Sequence, residues 1–175
     1  MKKEPADVAF DFVAQGSGRV TAIYFMMSEP DIETALRFPW TSIGSDAGAA
    51  LKPSEGDAIG LSHPRAYGNF PRLIAKYVRE RKVLTLPEAI RKMTSWAATR
   101  MRIQGRGVIK AGAWADVVIF DFDKIQDNAT YEKPLLSPSG IDFVLVNGQV
   151  VIEKGKHTGA RPGKIIYGQG YQKQN

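Results

Sequence analysis

The feature that most constrains this chain is a pair of apolar runs split by Asn147-Gly148, within IDFVLVNGQVVIEK at 141–154. Asn-Gly is the favoured pair for a two-residue type I′ turn, because both positions need φ > 0. The segment is therefore expected to fold as an antiparallel hairpin. ADVVIFD at 115–121 reads as a short apolar strand before it, and residues 164–167 read as a last one. From Gly107 onward the chain is thus expected to be β, with a polar, frayed tail after Gly168.

The first part has a different texture. Val8, Ala9, Phe12 and Val13 recur at helical spacing over 5–14, and Gly16 and Gly18 end the pattern. VTAIYFMM at 20–27 is apolar on both faces, as a strand buried in a parallel sheet would be. Ser28 then reads as an N-cap, with acids and Pro30 in the first turn and Ile32, Ala35 and Leu36 facing the core. Residues 40–44 read as a second strand, ending at Ser45-Asp46. Helix and strand in alternation imply right-handed parallel crossovers, as in an α/β barrel or a doubly wound sheet.

Between these parts lies a long Gly-, Ala-, Ser- and Pro-rich loop at 46–69. A loop of that length in a compact domain is usually functional or disordered. After it, Pro71 is expected to start a helix with Leu73, Ile74, Tyr77 and Val78 on one face. Thr85-Leu86-Pro87-Glu88 fits a capping box, with Ala89, Ile90 and Met93 inward. A further helix is expected near 96–102, stopping at Gly105.

Composition excludes several classes. The chain has 175 residues, no cysteine and a formal charge of +6. Disulfides and thiolate metal sites are excluded, and the absence of cysteine leans toward the cytoplasm. No apolar run is long enough to span a bilayer, and no apolar stretch behind the first residues reads as a signal peptide. The basic residues are scattered, which reads as a solvated surface rather than a nucleic-acid site.

Few residues suggest chemistry. Asp46 closes a short strand and opens the long loop, the place where α/β barrels carry catalytic groups. A carboxylate there can ligate a metal and carry a proton, whereas the plainer reading is a helix cap. Arg65 can grip a carboxylate by two parallel hydrogen bonds, or make an ordinary surface ion pair. His63 reads as a supporting imidazole rather than a metal ligand. Tyr24 and Met27 are core residues by spacing alone. His63 and His157 are the only histidines. A catalytic zinc needs about three protein ligands, so this chain by itself offers no convincing site.

At this point a family becomes recognisable. GVIKAGAWADVVIFD and VLVNGQVVIEKGK resemble the segments by which amidohydrolases return from barrel to β-sandwich. MSEPDI, PWTSIGSDAG, HPRAYGNFPRLIAKYVRE and TGARPGK resemble the narrower branch of N-acyl-D-amino-acid deacylases, or D-aminoacylases. The resemblance implies an α/β fold: the last βα units of a (β/α)8 barrel over 1–105, part of a small β-sandwich over 106–168, and a tail at 169–175. It implies a zinc-dependent amidohydrolase that cleaves N-acyl-D-amino acids into a carboxylate and a D-amino acid. By position, Asp46 is similar to the catalytic aspartate, a candidate metal ligand as well. Arg65 is similar to the arginine on the substrate carboxylate, and Tyr24 and Met27 to residues lining the side-chain pocket.

The family's other metal ligands belong upstream of Val20. The chain is therefore expected to be a fragment lacking the N-terminal barrel half, inactive alone and without bound zinc of its own. The competing expectation is a non-catalytic remnant, a structural or interaction module whose open sheet edges favour self-association. A dihydroorotase-like or deaminase-like enzyme would share the sandwich motif but lack the HPRAYGNFPR run.

Overall fold

The structure, a computed structural model, describes residues 3–16, 26–48, 63–168 and 170–171. Contacts divide the chain into two units, Met1–Ile32 and Glu33–Asn175. The first contains helix α1, Pro5–Gln15, with Pro at its start and Gly16 at its end, as the periodicity implies. Its apolar residues Phe10, Phe12 and Val13 are exposed. Most of the strand expected at 20–27 lies outside the described residues, and Met26 and Met27 run in irregular backbone. Helix α2, Glu29–Arg37, follows. The Asp31 N–H reaches Ser28 Oγ at 3.4 Å, so Ser28 caps the helix as expected. Leu36 is buried, whereas Ala35 faces solvent against expectation.

The second unit has a helical part and a sheet. Helix α3, Arg65–Arg72, begins six residues before Pro71, which lies inside it. The expectation of a helix starting at Pro71 is corrected: proline lacks the N–H that would close a turn, yet the helix continues through it. The chain goes on as a π-helical stretch, Leu73–Glu80, whose Leu73, Ile74, Ala75, Tyr77 and Val78 are buried. Its end shows the wide i→i+5 bond, from the Arg81 N–H to Lys76 O at 2.8 Å.

Helix α4, Leu86–Met93, starts at Thr85, whose hydroxyl accepts the Glu88 N–H at 3.4 Å. That is one half of the expected capping box. The Glu88 carboxylate turns instead to Arg91, at 2.8 Å. Ala89 and Lys92 are buried. Helix α5, Ser95–Arg100, completes the layer.

The sheet has four antiparallel strands in chain order: β1 Val117–Phe120, β2 Ile141–Val146, β3 Gln149–Glu153 and β4 Lys156–His157. At the β2–β3 turn Asn147 has φ 48° and Gly148 φ 81°, as a type I′ turn demands. A second such turn joins β3 to β4, with Lys154 at φ 48° and Gly155 at φ 75°. It makes a strand that the sequence reading does not anticipate. The strand expected at 164–167 does not form. Gly140 has φ +76°, and a Cβ there would lie 2.4 Å from Ile125 N, so only glycine suits the entry to β2.

The Arg79 guanidinium joins the helical part to the sheet. It donates to Phe122 O at 2.9 Å, Ile125 O at 2.8 Å and Gln126 Oε1 at 2.8 Å. Arg72 adds an ion pair to Asp127 at 2.9 Å. Among the described residues no helix is long and apolar enough to cross a membrane.

Candidate active site

Residues 40–44, expected to form a strand, do not form one. Trp40 lies in a turn, and 41–48 pair with no strand among the described residues. The segment is nevertheless extended in character: Thr41, Ile43, Ser45 and Ala47 are partly buried, while Ser42, Gly44, Asp46 and Gly48 are exposed. That is the period of two of a strand. Among the described residues, some of its backbone groups bond to helices instead of to a ladder. The Ile43 N–H donates to Lys92 O at 3.4 Å, and Asn69 Nδ2 of α3 donates to Gly44 O at 3.3 Å.

Asp46 lies near the end of this segment. Its φ is +50°, a left-handed conformation in which aspartate is several-fold enriched. Its side chain is 89% exposed. The Arg65 guanidinium, from the start of α3, comes to 3.1 Å from Asp46 Oδ2. The 19 positions that separate these residues in sequence are thus closed to a direct contact.

His63 shapes the entry to α3. Its Nδ1 accepts the Arg65 N–H at 3.1 Å, and its ring meets Tyr131 edge-on at 5.3 Å between centroids. Partial burial and then the Arg65 charge lower the His63 pKa. The imidazole is therefore neutral near pH 7 and acts here as a hydrogen-bond acceptor. Tyr131 and Asn69 have no signal in the sequence that marks them for this cluster, because both arrive through tertiary packing.

Met27 lies in the first unit and is 82% exposed. Tyr24 lies outside the described residues. Among the described residues no group of three His, Cys, Asp or Glu side chains could hold a metal ion. The donors among the described residues do not fit a self-sufficient zinc site: there Asp46 has no companion ligands and faces a guanidinium.

Comparison with known proteins gives this arrangement its context. The model of the amidohydrolase family matches residues 22–152. A D-aminoacylase of Alcaligenes xylosoxydans xylosoxydans is 41% identical over 145 residues, 83% of this chain and 28% of that protein. An N-acyl-D-glutamate deacylase of the same organism is 39% identical over 145 residues, with the same shares of each chain. Among solved structures, an N-acyl-D-glutamate deacylase from Bordetella bronchiseptica, complexed with zinc and a phosphonate inhibitor, superposes with a TM-score of 0.73 at 36% identity. The match covers 91% of this chain and 33% of that one. A D-aminoacylase studied for its binuclear metal centre superposes with a TM-score of 0.68 at 38% identity, covering 78% of this chain and 27% of its own. This chain therefore spans about a third or less of the relatives it matches, and over that span it belongs to the amidohydrolase family.

Proposed function

We propose that this chain is the C-terminal part of a metal-dependent hydrolase that cleaves the amide bond of N-acyl-D-amino acids, releasing a carboxylate and a D-amino acid. The 3.1 Å approach of Arg65 to Asp46 carries this reading. In an N-acyl amino acid the α-carboxylate and the scissile nitrogen are attached to the same carbon. A group that grips the carboxylate and a group that serves the nitrogen must therefore be neighbours. Arg65 supplies a planar two-point grip for the carboxylate. Asp46 takes a proton from the attacking water and returns it to the leaving amine. His63 holds the Arg65 backbone, and so the start of α3, in place. Before substrate arrives the two working groups pair with each other.

The zinc seen in the Bordetella relative would require ligands beyond the described residues, with Asp46 a candidate for one of them. On this reading 1–105 belong to a (β/α)8 barrel completed by an N-terminal half, 106–168 to a β-sandwich, and 169–175 to a tail. By family resemblance Tyr24, which lies outside the described residues, and Met27 are the candidates to meet the substrate side chain, and the enzyme works in the cytoplasm. Acyl hydrolysis of N-acetyl-D-methionine by the longer enzyme, measured for Arg65→Lys against wild type, tests the assignment. Lysine keeps the charge but loses the fork, so kcat/KM is expected to fall at least roughly 10-fold, about 1.4 kcal/mol. The loss shrinks on a substrate whose α-carboxylate is amidated. Equal losses on both substrates remove Arg65 from the carboxylate.

A second reading, a non-catalytic interaction module, is favoured by one observation: Val118 and Ile119 on edge strand β1 are 53% and 49% exposed. An open apolar edge can pair with another chain.

A further inference from the structure

Lys92 is the one buried charged residue among those described, with an exposure of 0%. Burying an ammonium is costly unless donors and charge are satisfied. Here Nζ donates to Phe38 O and, at 3.3 Å, to Thr41 O, with Glu88 Oε1 3.6 Å away. Its neighbours on the helices finish the pattern. Arg91 Nη2 donates to Pro39 O at 2.6 Å, and Trp96 Nε1 donates to Trp40 O at 2.8 Å. The carbonyls of Phe38, Pro39, Trp40 and Thr41 thus each accept from a side chain of α4 or α5. In return, Lys92 O accepts the Ile43 N–H at 3.4 Å.

Filling this space does not require a charge. Methionine has a comparable length, although it leaves the Phe38 and Thr41 carbonyls without the Lys92 donor. What three ammonium donors add is register. A slip of the 38–43 segment by one residue would leave a buried cation facing the wrong backbone groups. The segment is therefore held in one register, with Ile43 and Ser45 partly buried and Asp46 turned outward beside Arg65.

We propose that Lys92 is a positioning residue for Asp46. It rests on the reading of Asp46 as the proton carrier, and it acts through the 38–43 segment without touching the reacting groups. Arg91 and Trp96 share the clamp.

The test is residue-resolved amide hydrogen exchange on this chain, comparing wild type with Lys92→Met, alongside global stability from urea unfolding. The expected result is exchange at Ile43 at least about 10-fold faster in Lys92→Met, after correction for any change in global stability. Buried-helix amides such as Ala75 and Ala89 should follow global stability alone. The Asp46–Arg65 contact, followed through the guanidinium 15N resonances of Arg65, should weaken in the same variant. Lys92→Gln, which keeps two N–H donors, is expected to recover part of both signals, and it reads the same amides if Lys92→Met does not fold. Exchange at Ile43 that only follows global stability, or an unchanged Asp46–Arg65 contact, overturns the proposal. Failure of the catalytic reading is seen elsewhere: an idle Asp46 would show as unchanged turnover in Asp46→Asn, with the exchange pattern intact.

Discussion

The helical part and the sheet of the second unit satisfy their apolar surface in opposite ways. The π-helical stretch and α4 bury Leu73, Ile74, Ala75, Tyr77, Val78 and Ala89. No residue of the four strands reaches that level of burial, and β1 leaves Val118 and Ile119 about half exposed. The sheet is held instead by backbone pairing and polar pins. Arg106 pairs with Asp116 and donates to Asn147 Oδ1 at 2.6 Å, and Asp116 Oδ1 accepts the Asn147 N–H at 2.8 Å. A layer that buries its own side chains is limited by packing. A single sheet whose residues stay partly exposed is limited by its turns, pins and edges.

The largest expected effect separates the two regions by packing. Ile74→Ala should cost about 2–5 kcal/mol, as buried large-to-small changes do. Val118→Ala should cost less than about 1 kcal/mol, because its side chain is already half in water. Urea unfolding of both variants of this chain checks it, and equal losses would erase the distinction.

The pins give a pH signature. Burial works against the charged form of Asp116, but the Asn147 N–H and the Arg106 guanidinium outweigh it and hold the carboxyl below the usual aspartate range. A carboxyl with a depressed folded pKa contributes stability that is fully present above its unfolded pKa, near 4. That stability is lost as pH falls through the lower folded value. Melting temperature should therefore decline on the acid side of about pH 4, and Asp116→Asn should flatten this part of the decline. An acid limb unchanged by that substitution would mean that Asp116 is not one of the pins.

The smallest effect concerns the edge. If β1 pairs between copies, Ile119→Lys should reduce the sedimentation-average mass at high concentration while changing stability by less than about 1 kcal/mol. A wild-type chain that stays monomeric throughout would count against the interaction-module reading.

Local chemistry makes part of this fold legible in the sequence. Asn147-Gly148 dictates its own turn, and Thr85 caps its helix with a neighbour three residues on. Lys154-Gly155 makes the same kind of turn from a less typical pair, so nothing local announces β4. Residues 40–48 have the alternation of a strand, but pairing is a property of the partner, and among the described residues several of their backbone groups bond to helices and none to a strand. Lys92 has the chemistry of a solvent-facing lysine on an amphipathic helix. Its three-residue spacing from Ala89 is the available sign that it lies on the buried face. Asp46 and Arg65 stand out as candidates by position and residue type, but their specific roles come only through family resemblance. Their contact joins residues 19 positions apart, which no local pattern encodes.

The catalytic reading turns on Asp46, and Asp46→Asn in the longer enzyme tests it most directly. Asparagine keeps the size and much of the hydrogen bonding, and it caps helices about as well as aspartate, but it cannot carry the proton. The measurement is kcat on N-acetyl-D-methionine, taken with bound zinc and melting temperature on the same samples. The predicted result is a fall in kcat of roughly 100-fold or more, with zinc and melting temperature close to wild type. A variant with near-wild-type kcat would contradict the catalytic role, and loss of zinc would make Asp46 chiefly a metal ligand.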